Sequence, residues 1–373
     1  MSIVAPLPKV GSRKEFMDEL DSMIAPPKPE VTDTDETRGR PTLLKSYLIE
    51  TNTPLATGYL FDHTTAEVES TGLDTIKILT MRTQLDSPRS TAAQFYMDVS
   101  NERFLVLYTN YRAEETHAFV EKLIDSKNYE FDNAWLSTDT LKKLAAKAGN
   151  KHYGFQVDYK DIFSQSDNTD EITPQEDFRL ETTGIISNKA LKLLQQDPLV
   201  KRTMGYERIT VGRGTKGRGV LEEMTYNGRF SVVKGKSVDD HVILVDTLKA
   251  EYVRQVKEIE SRQIYGNAEK KTVEGTSFDL EFERKVEDWN HYLEVIFNAK
   301  APFRLWGIRS SISDKVFRVL AVDMHTGHPV DFEITDQMIR VYLPQGSCGN
   351  VILRLFVNLQ RYFDSEITCS ALG

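Results

Sequence analysis

The sequence predicts an α+β protein built from two or three modules, each an antiparallel sheet covered by helices. Three observations carry that expectation. The chain has 373 residues, more than one hydrophobic core usually holds. Runs rich in β-branched and aromatic residues come as a block before the first helical runs, an order that favours α+β over a wound parallel sheet. In the C-terminal half, one order of strand, helix, strands and helix occurs twice with different residues, which suggests a degenerate internal duplication.

Residues 1 to 44 read as a flexible tail, because Pro26, Pro27 and Pro29 precede the polar run Thr32 to Glu36, a composition poor in buriable surface. Within it Ser12 and Glu15 have capping-box spacing, and Phe16, Met17, Leu20, Met23 and Ile24 recur at helical intervals. That helix, over residues 12–24, either packs on its own protein or docks on a protein partner.

An N-terminal domain over 45–165 is expected to begin with strands at 44–50, 55–62, 76–83, 94–99 and 104–109. Helices follow at 113–125 and 138–148, with Gly149 placed to end the second. An acidic linker, 166–178, contains Pro174 and divides the chain. A sheet-and-helix module over 179–266 has strands at 179–185, 206–213, 220–226 and 229–233 with helices at 188–196 and 238–261. Its counterpart over 276–373 has strands at 277–282, 303–309, 315–324, 329–334 and 339–343 with helices at 285–299 and 350–363. The apolar stripes Val286, Trp289, Leu293, Ile296, Phe297 and Leu248, Tyr252, Val256, Ile259 give two of these helices a sheet-covering face. A sheet covered on one side leaves its other side open to solvent or to a ligand.

Charge narrows the function. Lys and Arg number 47 against 56 Asp and Glu, a net −9, which excludes a uniformly basic coat. Residues 201 to 238 nevertheless hold nine basic and three acidic residues, a local +6 that leaves −15 elsewhere. Tyr206, Tyr226 and Phe230 lie among them, and Gly212-Arg-Gly-Thr-Lys-Gly-Arg-Gly219 forms a basic loop. Cations that neutralise phosphates, interleaved with rings that stack on bases, suit a nucleic acid. On this reading Arg208, Arg213, Lys216, Arg218 and Arg229 meet phosphates, and Phe230 or Tyr226 meets bases. The bland alternative is a solvated hairpin whose charges pair with acidic neighbours.

The string Gly228-Arg-Phe-Ser-Val-Val-Lys-Gly-Lys-Ser237, with the helical run through Tyr252-Val-Arg-Gln-Val-Lys257, resembles a half-repeat of the TATA-box-binding protein family. The resemblance covers residues 228–262. It implies a sheet that grips a DNA minor groove, with Arg229 and Phe230 at strand positions on that sheet and Ser237 capping the covering helix, and so favours DNA over RNA.

Gly235-Lys236-Ser237 ends like a phosphate-binding loop but lacks the glycine that motif needs, since Phe230 stands there. Asp239 and Asp240 would also repel a phosphate. No nucleotide cofactor is expected.

The enzyme alternative is a cysteine-dependent hydrolase or transferase. Cys348 sits in Gln345-Gly-Ser-Cys-Gly-Asn350, between a strand and a helix whose N-terminus could lower a thiol pKa. Asp323, His325, His328 and Asp331 surround a nearby hairpin and could supply a base. Asp323 and His325 also have the spacing of two metal ligands on one strand face, but with no third ligand placed, no metal is expected. His117, flanked by Glu114 and Glu121, reads as a solvated helix position.

Cys348 and Cys369 are the only cysteines, too few for a disulfide framework. With no apolar run of membrane-spanning length, the expectation is a cytoplasmic protein without membrane contact that binds rather than catalyses. Partners expected are nucleic acid first, a protein partner through residues 12–24 second, and a second copy in a homo-oligomer or larger complex.

Overall fold

The computed structural model describes residues 6–24, 43–52, 58–61, 64–83, 92–125, 130–147, 149–164, 177–184, 186–215 and 218–370. In chain order they form α1 (Arg13–Ile24), β1 (Lys45–Thr51), β2 (Gly58–Phe61), β3 (Thr64–Ser70), β4 (Ile76–Thr83), β5 (Ala92–Asp98), β6 (Phe104–Thr109), α2 (Ala113–Ile124), β7 (Phe131–Asn133), α3 (Thr138–Ala146), β8 (Asn150–Lys160) and β9 (Asp177–Thr183). Next come α4 (Ser187–Leu194), α5 (Pro198–Arg202), β10 (Tyr206–Thr215), β11 (Arg218–Thr225), β12 (Arg229–Gly235) and α6 (Val238–Glu260). The chain ends with β13 (Tyr265–Asn267), β14 (Thr272–Glu274), β15 (Phe278–Glu281), α7 (Trp289–Phe297), β16 (Leu305–Ser313), β17 (Val316–Asp323), β18 (Pro329–Ile334), β19 (Met338–Tyr342), α8 (Asn350–Tyr362) and β20 (Thr368–Cys369). The protein is α+β with several antiparallel sheet modules.

The chain divides into two units that are not consecutive stretches. Unit 1 takes Met1–Ala134, Lys147–Lys151 and Val211–Lys249; unit 2 takes Trp135–Ala146, His152–Thr210 and Ala250–Gly373. Modules at 45–165, 179–266 and 276–373 therefore divide the chain differently. The reason is pairing at long range: β12, expected in the middle module, pairs antiparallel with β1, placing Lys45 opposite Ser231, Ser46 opposite Phe230 and Tyr47 opposite Arg229. The repeated order of elements is present, but its first copy closes no sheet of its own. The prolines at 26, 27 and 29 and most of the 166–178 stretch lie outside the described residues.

In unit 1 the strands run β2-β3-β4-β5-β6-β1-β12-β11, all antiparallel neighbours. The second half of β1 pairs with β7. Gly228, at φ +74°, turns β11 into β12, and a Cβ there would stand 2.8 Å from the Leu48 carbonyl. Only glycine allows this approach, and the Gly228 carbonyl accepts from Leu48 N–H at 2.8 Å, which docks the hairpin on β1.

Strand alternation separates the two faces of this sheet. Tyr47, Ile49, Phe95, Leu105 and Leu107 pack against Phe119, Val120, Leu123 and Ile124 of α2. On the opposite face Phe16 of α1 meets Tyr96 and Tyr108 edge-on, at 5.5 and 5.7 Å between ring centres. Glu15 N–H donates to Ser12 Oγ at 3.2 Å, and Glu15 Oε2 accepts from Gly11 N–H at 2.7 Å, so the capping-box pair starts the helix. Phe16, Leu20, Met23 and Ile24 are buried. The apolar face of 12–24 is thus spent on this protein's own packing rather than left for a partner.

Unit 2 holds a six-stranded antiparallel sheet, β16-β17-β18-β19-β15-β20. Helix α8 is buried from Asn350 through Arg361, and burying a helix all round requires its polar groups to be paired. Arg354 Nε donates to the Phe303 carbonyl at 2.7 Å and its NH2 to Asp323; Asn358 Nδ2 donates to the Arg354 carbonyl at 2.8 Å. Helix α7 starts at Trp289, four residues later than periodicity alone suggests, because the Asp288 carboxylate caps it, accepting from Asn290 and His291 N–H at 2.8 and 3.1 Å. The polar link 267–275 forms part of a short hairpin, β13 with β14. Among the described residues no helix is long and apolar enough to cross a membrane.

Candidate functional site

The basic segment separates into paired and unpaired cations. Lys201 pairs with Glu366, Arg202 with Glu283 at 2.5 Å, Arg208 with Glu181 at 2.7 Å and Arg213 with Asp240 at 3.5 Å. Arg213 also donates to Asn150 at 3.0 Å. Arg208 and Arg213 therefore spend their charge within the protein. Lys216 lies outside the described residues, as does the side chain of Arg218.

What remains is strand β12 and Lys236, the residue that follows it. No carboxylate lies within ion-pair distance of Arg229, Lys234 or Lys236 among the described residues. Lys234 and Lys236 are exposed and Arg229 is half-buried. The register sets Arg229 opposite Tyr47, and Lys234 opposite Leu221 on the same face. Phe230, one residue on, points to the other face and has no exposure. It cannot wedge between bases, because alternation turns it into the core beneath α6. Tyr226 is half-buried in the hairpin turn. Of the two strand positions implied by the TATA-box-binding resemblance, Phe230 lies on the face covered by α6 and Arg229 on the face that meets α2, while Ser237 Oγ accepts from Asp240 N–H at 3.2 Å at the start of α6.

Around Arg229 the sheet face carries Lys45, Tyr47 and, from α2, His117. Tyr47 Oη donates to Thr116 Oγ1 at 2.9 Å and bonds His117 Nδ1 at 2.6 Å. His117 is thus a half-buried partner of the sheet, not a solvated helix position. Burial, then the nearby cations Arg229 and Lys45, hold its pKa down to about 3. Lys45 is 6% exposed, donates to the Leu43 and Tyr111 carbonyls at 3.0 and 2.6 Å, and is lowered by burial to about 8.

A second constellation escapes composition and motif. Ser46 Oγ lies 2.7 Å from His241 Nε2, and His241 Nδ1 meets the Glu222 carboxylate. A carboxylate only accepts, so Nδ1 carries the proton and Nε2 accepts from the serine hydroxyl, the connectivity of a nucleophile relay. All three residues have 0% exposure, which leaves a substrate no approach. A signal did exist: Ser46 and Glu222 each stand at the inward phase of a strand, and His241 extends the apolar stripe of α6 by one turn.

Near the C-terminus the chain brings two of the residues expected for a cysteine enzyme together. Cys348 Sγ and a ring nitrogen of His325 lie within 4.8 Å, both buried. Asp323 does not orient that ring; its carboxylate is held by Arg354, by His325 N–H at 3.1 Å and by the Thr326 hydroxyl at 3.1 Å. The same bonds engage it against use as a metal ligand. His328 is exposed on the turn. The N-terminus of α8 is already occupied, since Gly349 N–H donates to the Glu260 carboxylate at 2.9 Å, and a negative charge there opposes thiolate formation.

Unit 2 also has an open cleft of about 1050 Å³ whose lining includes Lys201, Arg202, Glu283, Trp289, Lys315 and Glu366. Its cations are matched by acids, so it exerts no net pull on a polyanion.

Comparison with known proteins gives a family rather than an activity. The model of a family described as MJECL33-like protein matches residues 4–371. A protein of Methanocaldococcus jannaschii, named uncharacterized protein MJECL33, is 28% identical over a 402-residue alignment that covers 96% of this chain and 94% of that protein.

Proposed function

We propose, for a chain that belongs to the MJECL33-like protein family, a nucleic-acid-binding role in which β12 contacts phosphates. One observation carries the reading: Arg229 and Lys234 lie on β12 and Lys236 follows its last residue, and none of the three has a carboxylate partner among the described residues, although acids outnumber bases over the whole chain. Unneutralised cations on a strand at the protein surface are what a phosphate chain requires. With Phe230 turned inward, the contacts are to the backbone of the nucleic acid, and binding is sequence-independent. DNA and RNA are both substrates for such contacts. The cytoplasm suits the two cysteines, both free thiols.

Fluorescence anisotropy of the full chain against DNA and RNA, duplex and single-stranded, across a salt series tests this. Three phosphate contacts predict a log–log salt slope of about −2 to −3. Arg229→Glu with Lys234→Glu should abolish binding, while Arg208→Gln should leave it intact. Absence of binding at low salt to every probe rejects the reading.

A second reading, assembly with another copy of this chain, is favoured by Trp306 (49% exposed), Ile308 (61%) and Leu320 (52%) on the uncovered face of the unit 2 sheet, with Ile308 and Leu320 directly paired. Light scattering over rising concentration decides it; a constant monomer mass removes it.

A further inference from the structure

We infer that Arg229, Ser231, His117 and Lys45 form a pocket for one oxyanion of the phosphate class on unit 1, and that filling it places a proton on His117. The inference rests on the nucleic-acid reading for the identity of the anion, a phosphodiester, but the pocket is argued from its own residues.

The register brings the donors together. Lys45 and Tyr47 of β1 stand opposite Ser231 and Arg229 of β12, all on the sheet face that meets α2, and Tyr47 Oη ties His117 of α2 to that face. Each group keeps capacity to donate. The Arg229 guanidinium has no carboxylate partner, and the Ser231 hydroxyl has no hydrogen-bond partner among the described residues. Lys45 gives two of its three N–H bonds to backbone carbonyls and none to an acid. Because the Thr116 hydroxyl donates to the Arg112 and Ala113 carbonyls and Tyr47 donates to Thr116, the Tyr47 oxygen accepts from His117 Nδ1–H. His117 Nε2 is left with a lone pair that a proton could convert into a fourth donor.

A buried lysine and a half-buried arginine, neither with a carboxylate partner among the described residues, disfavour the unliganded state, and an oxyanion offsets that cost. The charges acting on His117 are Arg229 and Lys45 from the strands. Glu114 and Glu121 flank it along α2, Glu121 acts on Tyr47, and Glu223 of β11, itself engaged by a partner, stands opposite Ser231 on the same sheet face. With the pocket empty, burial and then the two cations hold the imidazole neutral; an anion between the cations reverses their part of the field and hydrogen-bonds the charged ring, which favours imidazolium. Binding and proton uptake are then linked, so affinity rises as pH falls.

Two measurements on the full chain test this. In the first, proton NMR follows the His117 ring resonance, assigned by its loss in His117→Gln, over pH 4.5 to 8 with and without sodium sulfate, an oxyanion that does not titrate in this range. Without sulfate the resonance should stay flat; with it a titration midpoint should enter the range, and Arg229→Gln should remove it. A flat resonance with sulfate overturns the pocket whatever the protein binds elsewhere.

In the second, oligo(dT), whose phosphodiesters and bases do not titrate between pH 5.5 and 7.5, should bind about tenfold tighter at pH 5.5 than at 7.5 if the bound midpoint is near an ordinary histidine's. His117→Gln should lose that slope. Binding without the slope, or a slope that survives His117→Gln, overturns the pocket and leaves the nucleic-acid reading standing. A sulfate-dependent midpoint without oligonucleotide binding keeps the pocket and removes the nucleic-acid reading.

Discussion

The Ser46 hydroxyl lies 2.7 Å from Nε2 of His241, a hydrogen bond sealed from solvent. With Glu222 on the far side of the ring, the three have the connectivity of a hydrolytic triad but none of its access. Position decides against catalysis, since Ser46, the second residue of β1, lies under α6, whose His241 closes over it. The relay works as a polar fastening between helix and sheet. Ser46 should not react with a fluorophosphonate probe in intact-mass spectrometry. Ser46→Ala should cost about 1 kcal/mol in chemical denaturation, and His241→Leu about 3 to 5 kcal/mol, because it strands a buried carboxylate. Adding Glu222→Met to His241→Leu should recover part of the loss.

Local pattern made most elements legible, and long-range pairing made the rest illegible. The helical stripes of α2, α6 and α8, the continuous apolar run of β6 and the alternation of β18 stand in the residues themselves. Strand β3, Thr-Thr-Ala-Glu-Val-Glu-Ser, is too polar to announce itself, because its hydrogen bonds come from β2 and β4 rather than from its own side chains. Nothing near residue 45 indicates that β1 will pair with β12. That single pairing assembles the Arg229 cluster and interleaves the two units. Net charge counting weights the members of the 201–238 segment equally. Which arginines stay unpaired depends on acids such as Glu181 and Asp240, whose placement only the fold determines. Phe230 departs from its expected role for a simpler reason: neighbours on a strand face opposite ways, so Arg229 and Phe230 cannot both meet one ligand.

His117 makes stability depend on pH in a calculable direction. Folded, it stays neutral down to about pH 3; unfolded, it takes up a proton near 6.5. Between those values the unfolded chain binds more protons, so this group lowers stability as pH falls below about 6.5 and contributes no slope above it. The site is half-buried, so solvent screening limits the effect to about 1 to 2 kcal/mol at pH 4.5. Urea denaturation of the protein and His117→Gln at pH 7.5 and 4.5, in buffer free of oxyanions, should show the gap between them narrowing at the lower pH. An unchanged or widening gap contradicts the assignment.

Cys348 should behave as a buried thiol. It is 8% exposed, and the helix N-terminus beside it already serves Glu260. Alkylation by a small maleimide should therefore be slow in the native protein and rapid for both cysteines after unfolding. Glu260→Gln removes the opposing charge and should accelerate native alkylation of Cys348 several-fold. Native labelling of Cys348 as fast as in the unfolded chain would return the cysteine-enzyme reading to consideration.

Arg354 offers the sharpest test of how unit 2 is held together. Its guanidinium spends Nε on the Phe303 carbonyl and NH2 on Asp323, and both charged residues are closed to solvent. Asp323 in turn receives His325 N–H and the Thr326 hydroxyl, fastening the β17–β18 turn to α8. A lysine at 354 carries the charge but not the planar fork, so it cannot serve both acceptors from one position. Arg354→Lys should cost about 2 kcal/mol. Arg354→Met, which leaves Asp323 uncompensated, should cost about 3 to 5 kcal/mol. Because the pair has paid for its own desolvation, replacing both partners, Arg354→Met with Asp323→Leu, should be milder than Arg354→Met alone. Thermal or urea unfolding of the three variants measures this order, and an Arg354→Met loss below that of Arg354→Lys would refute the ion pair as the fastening element.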